Sequence, residues 1–416
     1  MAILKKETLD ATVLFLERLS ANPSAIPADL RADDQLRKRF LSAIQKLVPE
    51  LETAAESSQR LLYNALELPT ARIAVDLNLF SLLKDSPAPL STEDIAKMSG
   101  QNPDTKLLAR IFRYLASLSF IREVDTGMWT ASHLGNNLSG EGQSAGVASM
   151  VDNCFAAMIT LPAFLRHHAY HPPETKDDTA FALGNRVSPE EKTFFDWLKT
   201  RPENAKHFNV FMGAHRTGVQ TWLDRPEVIK EITDAFEKVT AGKSGREEKA
   251  ISFVDIGGNV GHQCKAFKKR LPDLKGEIFL EDLEEVIANA ELEDGISKEA
   301  VDFLQGQPVK GAASYYLRSV LRNWPDHYSR TILGHVRDAM DEHSLLLIDE
   351  LVLPNCGAHR YETQLDLTML AMLNAEARTE THWKELLAEV GLAVKTIVFY
   401  EKEAREAVII AKKVTS

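Results

Sequence analysis

Three glycines and one acid set up the first chemistry in this chain. Gly257, Gly258 and Gly261 follow the mostly apolar run 253–256, and Asp282 ends the next strand, whose apolar run is 278–280. Glycine lets the backbone turn sharply after a buried strand and approach a ligand where a Cβ would otherwise stand. A helix starting near Gly261 aims its unpaired N–H groups at that ligand, and Asp282, or its neighbour Glu281, accepts the two hydroxyl protons of a ribose. The spacing reads as a socket for a nucleoside-bearing molecule. A glycine turn alone is also a common tight connection, and the terminal acid favours the ligand.

Such a socket needs a parallel sheet beneath it. Past residue 245 the text alternates strand and helix, with strands expected near 251–256, 277–281, 300–304, 313–318 and 344–349. The end differs: AVKTIVFYE and EAVIIAKK are separated by too few residues for a crossover, so they predict an antiparallel hairpin at the sheet edge. The fold class is α/β, a doubly wound parallel sheet closed by a hairpin.

The first half is helical. Apolar residues recur at helical spacing in Leu41, Ile44 and Leu47, in Leu61, Leu62, Ala65 and Leu66, and in Ile73, Leu77, Leu79 and Leu82. Then Ser91 or Thr92 caps a short helix, Asp104 caps a longer one, and Asp125-Thr126-Gly127 turns between two short strands, which together spell a winged helix. Lys106, Arg110 and Arg113 on its second helix could meet DNA, but the chain's net charge of -11 argues against a phosphate-tracking surface. Residues 145 to 225 are again helical. Phe194, Phe195, Trp197, Leu198, Phe208, Phe211 and Met212 fall there at a spacing that fits core better than pocket.

Composition narrows the class further. Cys154, Cys264 and Cys356 are odd in number and unpaired in spacing, which fits reduced thiols and a cytoplasmic protein. Glu7, Asp10 and Glu17 break any signal-peptide core, and no run approaches the roughly twenty apolar residues of a membrane span. His167, His168 and His171 lack a Cys or acid at ligand spacing, so no metal is expected.

VDIGGNVGH, FLEDLEEVI, VDFLQGQPVKGAASYYLRSVLRNWPDH, SLLLIDELVLP and EARTETHWKELLAEVGL resemble the successive motifs of the plant and fungal small-molecule O-methyltransferases. The resemblance covers nearly the whole chain. It implies a helical, winged-helix dimerisation domain over 1–180, a helical connector to the substrate pocket over 181–245, and a Rossmann-like class I domain over 246–416 that binds S-adenosylmethionine. By position, the cofactor lies against Gly257, Gly258 and Gly261, its ribose on Asp282 and its adenine beside Asp302 and Phe303, with Arg318 as a basic contact. A homodimer and a small-molecule substrate are implied; nucleic acid and membrane are not.

The resemblance breaks at the catalytic position. Where the family has His-Asp before the motif's tryptophan, this chain reads Arg322-Asn323-Trp324, and Ala377 stands where a Glu is usual; Glu350 is kept. A guanidinium, with a pKa above about 12, is deprotonated in fewer than about one molecule in 10⁵ at neutral pH, so Arg322 is no general base. It is a fixed cation suited to holding a carbonyl or enolate oxygen. This pattern resembles the leporin-type fungal pericyclases built on the same scaffold. They dehydrate an alcohol and close a ring by a hetero-Diels-Alder or Alder-ene reaction with the cofactor unspent. That group has Asp after its Arg, and Asn323 cannot shuttle a proton in its place. It also draws a histidine from the segment equivalent to AGVASMVDN, where this chain offers Ser149 and Asp152, leaving Asp152 as the acid-base candidate. The pocket wall falls by position on Phe211, Met212, Arg216, Thr217, Asp366 and Met369. Two other readings stay open: an O-methyltransferase acting on an acidic hydroxyl, and a catalytically silent regulator.

Overall fold

The computed structural model describes residues 6–22, 26–173, 175, 177–188, 190–191, 193–214, 221–241, 250–401 and 405–414. The chain divides into two compact units, Met1–Ala71 and Arg72–Ser416.

The first unit is helical, as its spacing predicts, with helices Lys6–Ala21, Ala28–Ala32, Asp34–Leu51 and Ala54–Tyr63. Local chemistry sets the boundaries. The Asp33 side chain accepts the Leu36 N–H, and Thr53 and Glu56 form a reciprocal capping box. The apolar stripe of Leu41, Ile44 and Leu47 remains exposed.

The second unit opens on the winged helix. Ser91 caps Thr92–Met98 by accepting the Asp94 N–H, and Asp104 caps Thr105–Ser117 by accepting that of Leu107. Strands β1 (Leu90–Ser91), β2 (Ile121–Asp125) and β3 (Met128–Ala131) pair antiparallel in the order β1-β3-β2. Leu108, Phe112, Leu115, Ile121 and Trp129 form its core, and the Trp129 indole N–H donates to Thr92 Oγ1 at 2.8 Å.

Beyond it, the helices Glu141–Ser149 and Phe155–His167 are joined by a π-helical segment, Met150–Cys154. This corrects the sequence expectation about membrane length: the continuous run Glu141–His167 is long and apolar enough to cross a membrane. Asp152 hides it from a reading that looks for unbroken apolar text. In the fold this run packs against the helices Pro202–Ala214, Ala180–Asn185 and Arg360–Leu373.

The remaining strands are β4 (Ile251–Ile256), β5 (Glu277–Asp282), β6 (Ile296–Ala300), β7 (Ser314–Arg318), β8 (Leu345–Leu351), β9 (Leu392–Glu401) and β10 (Glu406–Lys413). They form one sheet in the order β6-β5-β4-β7-β8-β10-β9. Strands β4 to β8 are parallel, and the terminal hairpin adds antiparallel through β10. One expected strand is misplaced. The segment expected at 300–304 pairs instead over Ile296–Ala300, because Asp302 Oδ1 accepts the Leu304 N–H and turns the chain away from the sheet. Side chains alternate between two cores. Val254, Tyr315 and Leu346 face the helices Asp326–Ala339 and Glu380–Glu389, while Phe253, Tyr316 and Leu347 face Pro226–Ala241 and His262–Arg270.

Candidate active site

The strand order reverses between β5 and β7 on either side of β4, and ligands of such sheets sit at the carboxyl ends flanking that point. Gly257 leaves β4 there with φ +69°, and a Cβ on it would stand 3.0 Å from Val320 and 3.7 Å from Phe303. A Cβ on Gly258 would stand 2.5 Å from the Asp255 carboxylate. Asn259, where the family often has another glycine, adopts φ +55°, a conformation Asn tolerates. Gly261 precedes the helix His262–Arg270, as expected.

Asp282 Oδ2 accepts the Asn259 N–H at 2.8 Å, and Oδ1 accepts that of Leu283 at 2.8 Å. Each oxygen keeps a lone pair for a ribose hydroxyl, so the residues fit a nucleoside. Burial pushes the Asp282 carboxyl up, against those two backbone bonds. Beneath the turn, burial pushes Asp255 up to about 7, and the Cys264 thiol donates to it. Arg318, at the end of β7, is held by Asp349 at 3.3 Å, and Asp349 also accepts the hydroxyls of Tyr316 and Tyr400.

Four residues past Arg318, Arg322 rides a single 3-10 turn, Leu321–Asn323. Its backbone N–H donates to Glu350 Oε1 at 3.2 Å, its Nη2 donates to Ser319 Oγ at 2.8 Å, and its Nε lies 3.7 Å from Glu350 Oε2. That last spacing is an ion pair beyond hydrogen-bond reach, which is why Oε2 is buried with no hydrogen-bond partner. Burial pushes Glu350 up and the Arg322 charge pulls it back. Nη1 of Arg322 has no acceptor among the described residues, and the side chain keeps partial solvent access. Asn323 turns inward, its Nδ2 donating to the Ser319 carbonyl at 2.9 Å.

A residue the sequence reading passed over fixes this turn. Arg378 has no exposed surface; its Nη1 donates to Leu321 O at 3.0 Å and its Nη2 to Trp324 O at 2.9 Å. Its Nε donates to Asp326 Oδ1 at 2.8 Å, and Asp326 Oδ2 lies 2.8 Å from His382 Nε2. Burial pushes Asp326 up, but His382 and Arg378 hold it well below the usual carboxylate range. Glu376 completes a group close enough to share a cation, yet Arg378 and Arg330 already engage Asp326.

The remaining candidates scatter around this centre. Asp302 and Phe303 lie beyond β6, and the Phe303 ring meets Trp324 edge-on at 5.8 Å. Asp366 accepts the Ala377 N–H at 2.7 Å rather than standing open. Met369, Cys154 and Phe208 pack on one buried apolar cluster, and the helix of Met369, Arg360–Leu373, packs on the Arg322 turn. The Phe211 ring lies over Gly146, where a Cβ would stand 2.7 Å from it, and Met212 is exposed. Arg216 and Thr217 lie outside the described residues. Asp152 is held by Arg72 Nη2 at 3.1 Å and faces His207 Nδ1 at 3.9 Å, a histidine missed because it lies on a separate helix.

Comparison with known proteins places this geometry. An O-methyltransferase domain matches residues 244–393 and an O-methyltransferase dimerisation domain matches 61–139. Methyltransferase cfoC of Aspergillus candidus is 32% identical over 93% of this chain and 94% of its own. O-methyltransferase lepI of Aspergillus flavus is 31% identical over 92% and 96%. Among solved structures, LepI in complex with SAM superposes with TM-score 0.80 at 30% identity, covering 96% of this chain and 99% of that one. The chain belongs to the O-methyltransferase family. Its cofactor is S-adenosylmethionine.

Proposed function

We propose that this enzyme is a pericyclase on an O-methyltransferase scaffold, dehydrating and cyclising a polyketide or 2-pyridone-type alcohol without consuming its cofactor. One observation supports the reading: a guanidinium, braced by Glu350 and Ser319 and with no acceptor for Nη1 among the described residues, stands where the sequence resemblance puts the family's base. Arg322 donates to a substrate carbonyl or enolate oxygen and draws electron density toward it. A charged hydrogen bond of this kind contributes about 1.5 to 3 kcal/mol, and more where it tightens in the transition state. When bound, S-adenosylmethionine supplies a sulfonium positive charge and a transferable methyl group. A solved structure described as a pericyclic reaction enzyme, TM-score 0.79 and 30% identical over 98% of this chain, supports the reading by likeness.

The second reading is O-methyl transfer to an acidic hydroxyl, for which proximity suffices without a base. Relatives named as O-methyltransferases favour it, such as ucdC of Aspergillus ustus, 30% identical over 92% of this chain. Purified protein, substrate and S-adenosylmethionine separate the two. Cyclised product that requires the cofactor while no S-adenosylhomocysteine accumulates supports the pericyclase; S-adenosylhomocysteine formed one for one with product overturns it.

A further inference from the structure

We infer that Asp152 and His207 form an acid-base dyad, braced by Arg72, and that His207 Nε2 gives up the proton on which a substrate hydroxyl leaves as water. The inference deepens the proposed function and rests on it.

Asp152 lies in the π-helical segment Met150–Cys154, a wide turn of the kind that recurs at functional sites. Its carboxylate is anchored from another helix: Arg72 donates to Oδ2 at 3.1 Å while also pairing with Asp76 at 2.6 Å. His207 comes from a third element, Pro202–Ala214, and directs Nδ1 at the same Oδ2 from 3.9 Å. That nitrogen is buried and has no hydrogen-bond partner. A buried polar atom without a partner is destabilising, and a shift of about 1 Å would satisfy it. Catalytic hydrogen bonds are often this long before substrate binds. Nδ1 faces Asp152 and is buried, so Nε2 is the ring nitrogen the pairing leaves for a ligand.

The dyad adjoins the Arg322 region. Phe208, next to His207, packs on the same buried apolar cluster as Cys154 of the π segment and Met369, and the helix that carries Met369 contacts the Leu321–Asn323 turn. Asn323 spends its amide on Ser319 and carries no transferable proton, so the acid must come from elsewhere.

The step balances without an oxidant. The doubly protonated His207 ring passes its Nε2 proton to the side-chain hydroxyl, and the carbon–oxygen bond breaks with its electron pair leaving on water. The ring hydroxyl of the substrate loses its proton to solvent, its O–H pair becomes the new C=O π bond, the adjacent ring C=C pair shifts to form the exocyclic C=C at the carbon that lost water, and Arg322 donates to the carbonyl oxygen. Solvent returns one proton to His207, so the net change is loss of one water.

The test uses the full chain with S-adenosylmethionine and a synthetic hydroxy-2-pyridone carrying a side-chain alcohol, followed by mass spectrometry. His207→Gly is expected to slow alcohol consumption by about 10² to 10⁴-fold, with cofactor affinity unchanged and partial rescue by added imidazole. Asp152→Asn is expected to lower kcat more than KM. A wild-type rate in His207→Gly, or a loss that imidazole does not relieve, overturns the dyad while leaving Arg322 in place. Nitrogen-15 spectra of histidine-labelled protein read the pair without substrate: the neutral ring carries its proton on Nδ1, and Asp152→Asn redistributes it. An unchanged tautomer overturns the pairing. Wild-type protein that leaves the alcohol intact overturns the proposed function, and the proton donation with it.

Discussion

Glu350 stands behind Arg322, taking its backbone N–H on Oε1 at 3.2 Å while Oε2 lies 3.7 Å from Nε. The carboxylate balances the guanidinium from the sheet side, and Nη1 has no acceptor among the described residues. Arg322→Gln keeps hydrogen-bonding atoms but loses the charge, so the rate of ring closure should fall by about 10 to 150-fold, the equivalent of about 1.5 to 3 kcal/mol. Arg322→His should also lose cyclisation. Calorimetric titration with S-adenosylmethionine should find both variants binding as wild type does, and an unaltered product distribution and rate would count against the assignment.

Arg378 joins both ends of the turn that carries Arg322 through Leu321 O and Trp324 O, with Asp326 as its counter-ion. Arg378→Met removes four hydrogen bonds, to Leu321 O, Trp324 O, Ser329 Oγ and Asp326 Oδ1, and leaves Asp326 with a weaker partner set, so stability should fall by about 3 to 5 kcal/mol. Arg378→Lys keeps the charge but cannot bridge two carbonyls and a carboxylate at once. It should fold and bind cofactor while its kcat drops and KM holds. A wild-type kcat in Arg378→Lys would show that the turn needs no clamp.

What the sequence disclosed follows from range. The glycine turn, the Ser91 and Asp104 caps and the terminal hairpin rest on neighbours a few residues apart, and each appears where the spacing put it. Two expectations failed where tertiary context decides. The strand expected at 300–304 ends early because one side chain, Asp302, caps the following turn, and the run Glu141–His167 is one continuous helix despite Asp152. Arg378, Asp349 and His207 were illegible for a different reason. Each acts across a gap: Arg378 reaches back 57 residues to Leu321, and no local pattern marks an arginine that will be fully buried.

Apolar surface on the N-terminal unit calls for a partner. Leu61 and Leu62 are 74% and 72% exposed, and they begin the segment that matches the dimerisation domain. Uncovered apolar faces of this kind mark association surfaces. Light scattering coupled to gel filtration should report a dimer for the wild type and a monomer for Leu61→Asp combined with Leu62→Asp. A double variant that stays dimeric would move the interface elsewhere.

Asp255, beneath the glycine turn, ties the stability of the fold to pH. Burial pushes its carboxyl up to about 7, and burial does the same to Glu281, against the Gln307 bond. Between about pH 4 and 7 the folded chain holds a proton that the unfolded chain, with carboxyls near 4, has released. Stability therefore falls as pH rises through that window, by about 1.4 kcal/mol per pH unit for each group, and levels off above it. Asp326, held low, acts with the opposite sign, but its contribution is lost only as pH drops below the usual carboxylate range. Asp255→Asn keeps an acceptor for the Cys264 thiol and removes one of the two protons. Its urea midpoint should decline less steeply than wild type from about pH 4.5 to 7, and the two proteins should differ most at the alkaline end, where the variant is the more stable. Parallel pH profiles would mean that Asp255 is already ionised in the folded chain.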